Sequence, residues 1–268
     1  MFDVSDITND GNFDASVGLM SSPVKDWAAG FGKIVVAGGS NKVLTLGGNW
    51  IIDTDTDTVT QMDDTVLGAA VSVAHIDGRF VWVPKAGDVI YYSEVNDPGN
   101  INPLSFFDAE SRPDINRHVA VIGSDLYVLG GESIERFKST GNVDTPFIRV
   151  SNSIIAVGFV GGLIRLSDKI VFIGRPVGGS LAVYELTQGT IKIISNSVVN
   201  ELLNNNAYPV DRGQSFSMFG RDVYLFKVGD SEEDGNGYTD NEYNLYCMNN
   251  EGDNQWGFLS HLRSATEN

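Results

Sequence analysis

One phrase recurs five times along the chain, a turn followed by a run of β-branched and aromatic residues. It reads FGKIVVAG (Phe31 to Gly38), DGRFVWVP (Asp77 to Pro84), GSDLYVLG (Gly123 to Gly130), SDKIVFIG (Ser167 to Gly174) and GRDVYLFK (Gly220 to Lys227). The equivalent apolar positions Ile34, Phe80, Leu126, Ile170 and Val223 are separated by 46, 46, 44 and 53 residues. A period in the forties, with strand-forming residues at each return, marks the repeated four-stranded units of a β-propeller. One such unit cannot cover both faces of its own sheet, so it is stable only when neighbours stack against it and leave short edges. The expected fold is all-β: a β-propeller of five visible four-stranded repeats, with five to seven blades open.

Alternation and turn residues divide the repeats into strands. The second repeat reads as Ala69 to Ile76, Arg79 to Pro84, Asp88 to Glu94 and Pro103 to Glu110; the third runs between His118 and Ser151, and the fourth between Leu163 and Ser195. A first lies near Trp27 to Met62 and a fifth near Gln214 to Arg263. The propeller domain is set at residues 26–268, and residues 1–25 form an N-terminal segment able to complete a blade. One helix is expected over Asn196 to Asn206, capped by Ser195 or Asn196, with Val198, Val199, Leu202 and Leu203 on one face.

Composition narrows the function. Eighteen Lys and Arg against 35 Asp and Glu give a net charge of −17, and no basic cluster exists to take up phosphates by counterion release. Sequence-specific DNA binding is not expected. The single cysteine, Cys247, rules out an internal disulfide and reads as a small buried hydrophobe. No apolar run reaches the length of a membrane helix, and the opening MFDVSDITND lacks the basic start and apolar stretch of a signal peptide, so synthesis in a cytoplasm is expected.

Several motifs invite chemistry. DTDTDTVTQMDD (Asp53 to Asp64) alternates carboxylates like a calcium loop, yet Thr58 stands where the EF-hand turn requires glycine. DSEEDG (Asp230 to Gly235) has that glycine but carries Asn241 where a bidentate carboxylate belongs. Both read better as solvated acidic loops. His75, His118 and His261 lack metal-type spacing and are taken as edge or turn residues. Trp27, Trp50, Trp82 and Trp256 could stack on sugars, although core packing is the commoner fate of a strand tryptophan. No nucleophile elbow or phosphate-cradling loop occurs. Neither catalytic residues, metal nor cofactor are expected.

From Asp97 onward the order of motifs resembles a known family, the packaged-DNA stabilisation or tail hub proteins of short-tailed bacteriophages. The resemblance rests on FFDAESRPDI (Phe106 to Ile115), DLYVLGGESIERF (Asp125 to Phe137), STG (Ser139 to Gly141), PFIRV (Pro146 to Val150), SDKIVFIGR (Ser167 to Arg175) and KIIS (Lys192 to Ser195). It spans Val71 to Leu203, and the first 65 residues match only loosely. It implies a structural, non-enzymatic virion protein of the phage tail, a ring-forming hub or nozzle subunit, in six copies, below the portal and adaptor rings. Such a subunit retains packaged DNA and later guides its ejection, with distal needle or fibre proteins as further partners and no membrane insertion.

The family pattern falls here on Ala109, Glu110, Pro113, Asp114, Glu132, Ile134, Glu135, Pro146, Phe147 and Arg149, as structural or interface residues. Partner surfaces are expected in the loops 96–117 and 229–242. An acidic wall suits a DNA conduit, because carboxylates repel phosphates over a Debye length of roughly 8 Å. The alternative from the residues alone is a carbohydrate-binding or glycoside-cleaving propeller, since the architecture often presents a ligand pocket at one end of its channel.

Overall fold

The computed structural model describes residues 24–38, 48–62, 65–85, 87, 89–109, 114–205, 209–218, 220–228, 243–248 and 254–260. They form five antiparallel four-stranded sheets, each a meander in which successive strands pair. Sheet 1 contains β1 (Val24–Gly30), β2 (Lys33–Gly38), β3 (Trp50–Asp53) and β4 (Thr58–Gln61). Sheet 2 contains β5 (Ala70–Ile76), β6 (Arg79–Pro84), β7 (Ile90–Tyr92) and β8 (Phe106–Phe107). Sheet 3 contains β9 (Asn116–Ile122), β10 (Asp125–Gly130), β11 (Ile134–Ser139) and β12 (Phe147–Arg149). Sheet 4 contains β13 (Gly158–Arg165), β14 (Ile170–Arg175), β15 (Ala182–Leu186) and β16 (Ile191–Ile193). After helix α1 (Ser197–Asn205), sheet 5 contains β17 (Pro209–Met218), β18 (Arg221–Val228), β19 (Tyr243–Met248) and β20 (Gln255–Ser260). Each is the four-stranded blade that the repeat implied, and every recurring phrase supplies the second strand.

The second strands are apolar for a geometric reason. They are paired on both edges and covered on both faces, so β6 and β10 are buried along their whole length. The two faces of β6 serve different layers. Phe80 and Trp82 pack with Val35, Ala37 and Val73 of sheets 1 and 2, while Val81 and Val83 pack with Val119, Val128 and Phe137 of sheet 3. The turns entering β2 and β6 place Phe31 and Gly32 at φ 51° and 68°, and Asp77 and Gly78 at φ 47° and 79°. Two consecutive left-handed residues match the twist of a tight hairpin.

The chain divides into two compact units, residues 1–154 and 155–268. In the first, strands β1, β5 and β9 run beside one another as the first strands of their sheets. In the second, β13 lies beside β17, and Val199 and Leu203 of α1 join Val171, Ile173, Tyr224, Phe226 and Cys247 in one core. Asn196 caps the helix, its Oδ1 accepting Val199 N–H at 3.0 Å. The expected four-residue apolar face is narrower, because Val198 is exposed.

Other expectations need correction. The third and fourth strands of the second repeat shrink to Ile90–Tyr92 and Phe106–Phe107. Asn102 folds the intervening chain into a turn, its Oδ1 accepting Leu104 N–H at 2.9 Å and its carbonyl accepting Ser105 N–H at 2.8 Å. The fifth repeat starts at Pro209, ahead of Gln214. Trp82 and Trp50 are buried, but Trp27 is half exposed, because alternation along β1 gives the inward position to Asp26. The N-terminal segment up to residue 23 and the loop 229–242 lie outside the described residues. Among the described residues no helix is long and apolar enough to cross a membrane.

Candidate functional site

The repeat interval spaces polar residues as well as apolar ones. Lys33, Arg79, Asp125 and Lys169 stand where the second strands of sheets 1 to 4 begin, and each meets an opposite charge on or just after the third strand. Lys33 Nζ lies 2.6 Å from Asp53 Oδ2. Arg79 donates to Ser93 O at 2.7 Å and lies 3.6 Å from Glu94. In sheet 3 the polarity is inverted, with Arg136 donating through Nε and Nη2 to the Asp125 carboxylate. In sheet 4, Lys169 and Lys192 approach Glu185 at 3.3 and 2.8 Å. Asp125 and Glu185 are buried, so each needs its cation; stripping a partner from a buried charge typically costs ~3–5 kcal/mol.

A second polar series crosses between sheets of the first unit. Asp26 of β1, Ser72 of β5 and His118 of β9 are 46 residues apart in turn. Asp26 Oδ2 accepts Ser72 Oγ–H at 2.5 Å and Val73 N–H at 3.0 Å, and its Oδ1 accepts Trp27 N–H at 2.9 Å. Ser72 Oγ in turn accepts Val119 N–H at 3.2 Å, and His118 Nδ1 lies 3.8 Å from Asp26. Three first strands are thereby tied through one buried carboxylate. His75 and His118 are half-buried residues of β5 and β9, each an edge strand of its own sheet, as expected; His261 lies outside the described residues. His75 packs against the rings of Phe31 and Phe80, and burial lowers its pKa. The second unit brings β13 and β17 together differently: a Cβ on Gly213 would sit 2.5 Å from Gly162 O.

The family-pattern residues cluster on sheet 3 and the chain leading into it. Asp114 Oδ2 accepts Glu132 N–H at 2.6 Å and Ser133 N–H at 3.0 Å, closing the turn between β10 and β11 while Glu132 itself is exposed. Ile134 is fully buried. Glu135, also buried, accepts from Arg149 Nη1 at 3.2 Å across β11 and β12. Pro146 O accepts Thr140 N–H at 2.9 Å, and Phe147 packs on Tyr92 and Phe107 with ring centroids 5.7 and 5.4 Å away. Ala109 lies in the same core. Glu110 and Pro113 lie outside the described residues. The structure thus joins Asp114 to the Glu132–Ser133 turn and Glu135 to Arg149, contacts that hold backbone and neutralise charge.

The start of the 96–117 loop is held by backbone hydrogen bonds, with Glu94 N–H on Asn100 O at 2.9 Å and Asn96 N–H on Gly78 O of the β5–β6 turn at 2.8 Å. It also presents Leu104, Phe106 and Ile115, which are 81%, 41% and 61% exposed. The acidic stretch from Asp53 is a hairpin turn whose first carboxylate is already occupied: Asp53 takes Lys33 on Oδ2, and Asp55 N–H and Thr56 N–H on Oδ1 at 3.0 and 3.2 Å. The Lys33 hydrogen bond and those backbone donors hold the Asp53 carboxyl down at about 2. Asp63, Asp64 and the loop from Asp230 lie outside the described residues, and among those described no group of three metal-ligating side chains forms. Cys247 is buried, and burial together with the Glu185 charge pushes its thiol up to about 12.

Comparison with known proteins adds a family. The model of the phage stabilisation family, described as bacteriophage P22 Gp10, beta-propeller, matches residues 22–215, which takes in most of the N-terminal stretch where the motifs matched loosely. A search of curated proteins gives no match. Among solved structures, the N-terminal domain of Nup159 superposes with a TM-score of 0.50 at 9% identity, covering 89% of this chain and 62% of that one. A chain of the S. cerevisiae complex of Dbp5 with Nup159 and Gle1 gives 0.50 at 10% identity, covering 89% and 61%. The chain spans about three-fifths of the length of these structures, and at such identity the likeness concerns fold alone.

Proposed function

The chain belongs to the phage stabilisation family of the bacteriophage P22 Gp10 β-propeller, a family of structural phage proteins, and from that premise we propose that it is a tail hub or nozzle subunit. In this reading copies of the chain, six to a ring, sit below the portal and adaptor, retain the packaged genome and guide its exit past distal needle or fibre proteins. The family match over residues 22–215 carries the proposal.

Two physical features support it. Leu104, Phe106 and Ile115 put apolar surface on the short outer strand β8 and the loops flanking it, where large apolar side chains favour protein association. The surplus of 35 acidic over 18 basic residues gives a chain that repels DNA, as a conduit should. The working residues are then assembly residues, and turnover is not part of the role. Particles assembled without this protein should fill with DNA and then lose it, measured as nuclease-sensitive genome per capsid. Particles that keep their genomes without it would remove the retention role.

A further inference from the structure

Three turns of the first unit converge on one end of sheets 1 to 3. Phe31, at the apex between β1 and β2, is 54% exposed, and Val95, just past β7, is 51% exposed. Both flank Gly78: a Cβ there would lie 3.1 Å from Val95 Cγ1 and 3.7 Å from Phe31 Cε2. The Phe31 ring stands edge-on to His75, with centroids 5.2 Å apart. Beyond His75 opens a cavity of about 500 Å³, lined by Ile76, Asp77, Val121, Lys138 and Ser139 among others. Its floor is fixed, because Ser139 Oγ donates to Asp77 Oδ2 at 2.5 Å and ties the sheet 2 turn to sheet 3.

Charge around this apolar strip has one dominant sign. The Asp55 carboxylate lies against Gly32 beside Phe31, Asp77 is in the cavity lining, and Glu94 and Asp97 bridge next to Val95. Lys33 is committed to Asp53, and Arg79 to Ser93 and Glu94, which leaves Asp55, Asp77 and Asp97 around the strip, with Lys138 the cation of the cavity lining.

We propose that this end of the first unit docks an extended protein segment carrying lysines or arginines around one aromatic or large aliphatic anchor. The anchor seats beside Phe31 and Val95 and enters the cavity past His75, whose volume of about 500 Å³ admits a large side chain with room to spare. The flanking cations meet Asp55, Asp77 and Asp97. The docking face does not depend on a ring.

The test uses the full chain and a short fluorescein-labelled peptide with one central tryptophan between lysines, read by fluorescence anisotropy. Wild type should bind it, and Phe31→Gly, Val95→Ser and Asp77→Asn should each weaken it ~10-fold, while Val177→Ser, at an exposed position of the other unit, should not. Glycine suits the left-handed backbone at residue 31 and asparagine the one at 77, and circular dichroism confirms folding of each variant. Raising the salt should weaken wild-type binding. The proposal is overturned if the peptide does not bind at ~1 mM, if a peptide with glutamates in place of lysines binds equally, or if the three variants bind like wild type. Self-association lost in Phe31→Gly would overturn it as well, by assigning the face to a second copy.

Discussion

Replacing Asp26 by alanine should destabilise the first unit more than any surface change, and the contacts set the size. The carboxylate is almost fully buried and accepts Ser72 Oγ–H, Val73 N–H and Trp27 N–H. Trp27 is half exposed, so water can reach that end of the network, but the donors of Ser72 and Val73 are enclosed. A buried donor left without an acceptor costs ~1–3 kcal/mol, so Asp26→Ala should cost ~3–5 kcal/mol. Ser72→Ala removes one of the donors to Asp26 and an acceptor of Val119 N–H, at ~1–3 kcal/mol. Because the two residues share a hydrogen bond, the double variant should lose less than the two single costs together, with a coupling of ~1–2 kcal/mol. Urea unfolding with hydrogen exchange at β1, β5 and β9 reads each value. If Asp26→Ala falls within ~0.5 kcal/mol of wild type, or the pair is additive, the carboxylate does not tie the strands.

Other outcomes follow from the same contacts. Lys33→Met should return the Asp53 pKa from about 2 toward its ordinary 3.8 in a carboxyl NMR titration; since the folded value is depressed, the stabilisation from this pair is present above 3.8 and lost as pH falls through 2. Cys247, raised from 9.0 to about 12, should resist thiol reagents at pH 8 until urea unfolds the protein. Its contribution to stability is complete below 9 and lost as pH rises toward 12, so Cys247→Ala should flatten the alkaline arm of a melting profile. Gly213→Ala puts a methyl group 2.5 Å from both Gly162 O and Ile164 Cγ1; backbone cannot yield as a side chain does, and a loss of ~2 kcal/mol or more in urea midpoint analysis is expected.

The five sheets were readable from the chain because a second strand covered on both faces must be apolar along its length, and FVWVP and LYVLG recur at one spacing. The α1 cap at Asn196 and the burial of Cys247 rest on equally local rules. Hydrogen bonds between strands 46 residues apart were not readable in advance. Asp26, Ser72 and His118 share the interval of Ile34, Phe80 and Leu126, yet that regularity becomes a contact only once sheet register turns all three toward one seam. The charged residues opening the second strands were visible too, but their partners Asp53, Glu94, Arg136 and Glu185 are set by strand pairing. Trp27 shows the limit most simply. Its residue type favours the core, and the position of Asp26 beside it on β1 sends it outward, because a strand has two faces and only three-dimensional packing decides which is buried.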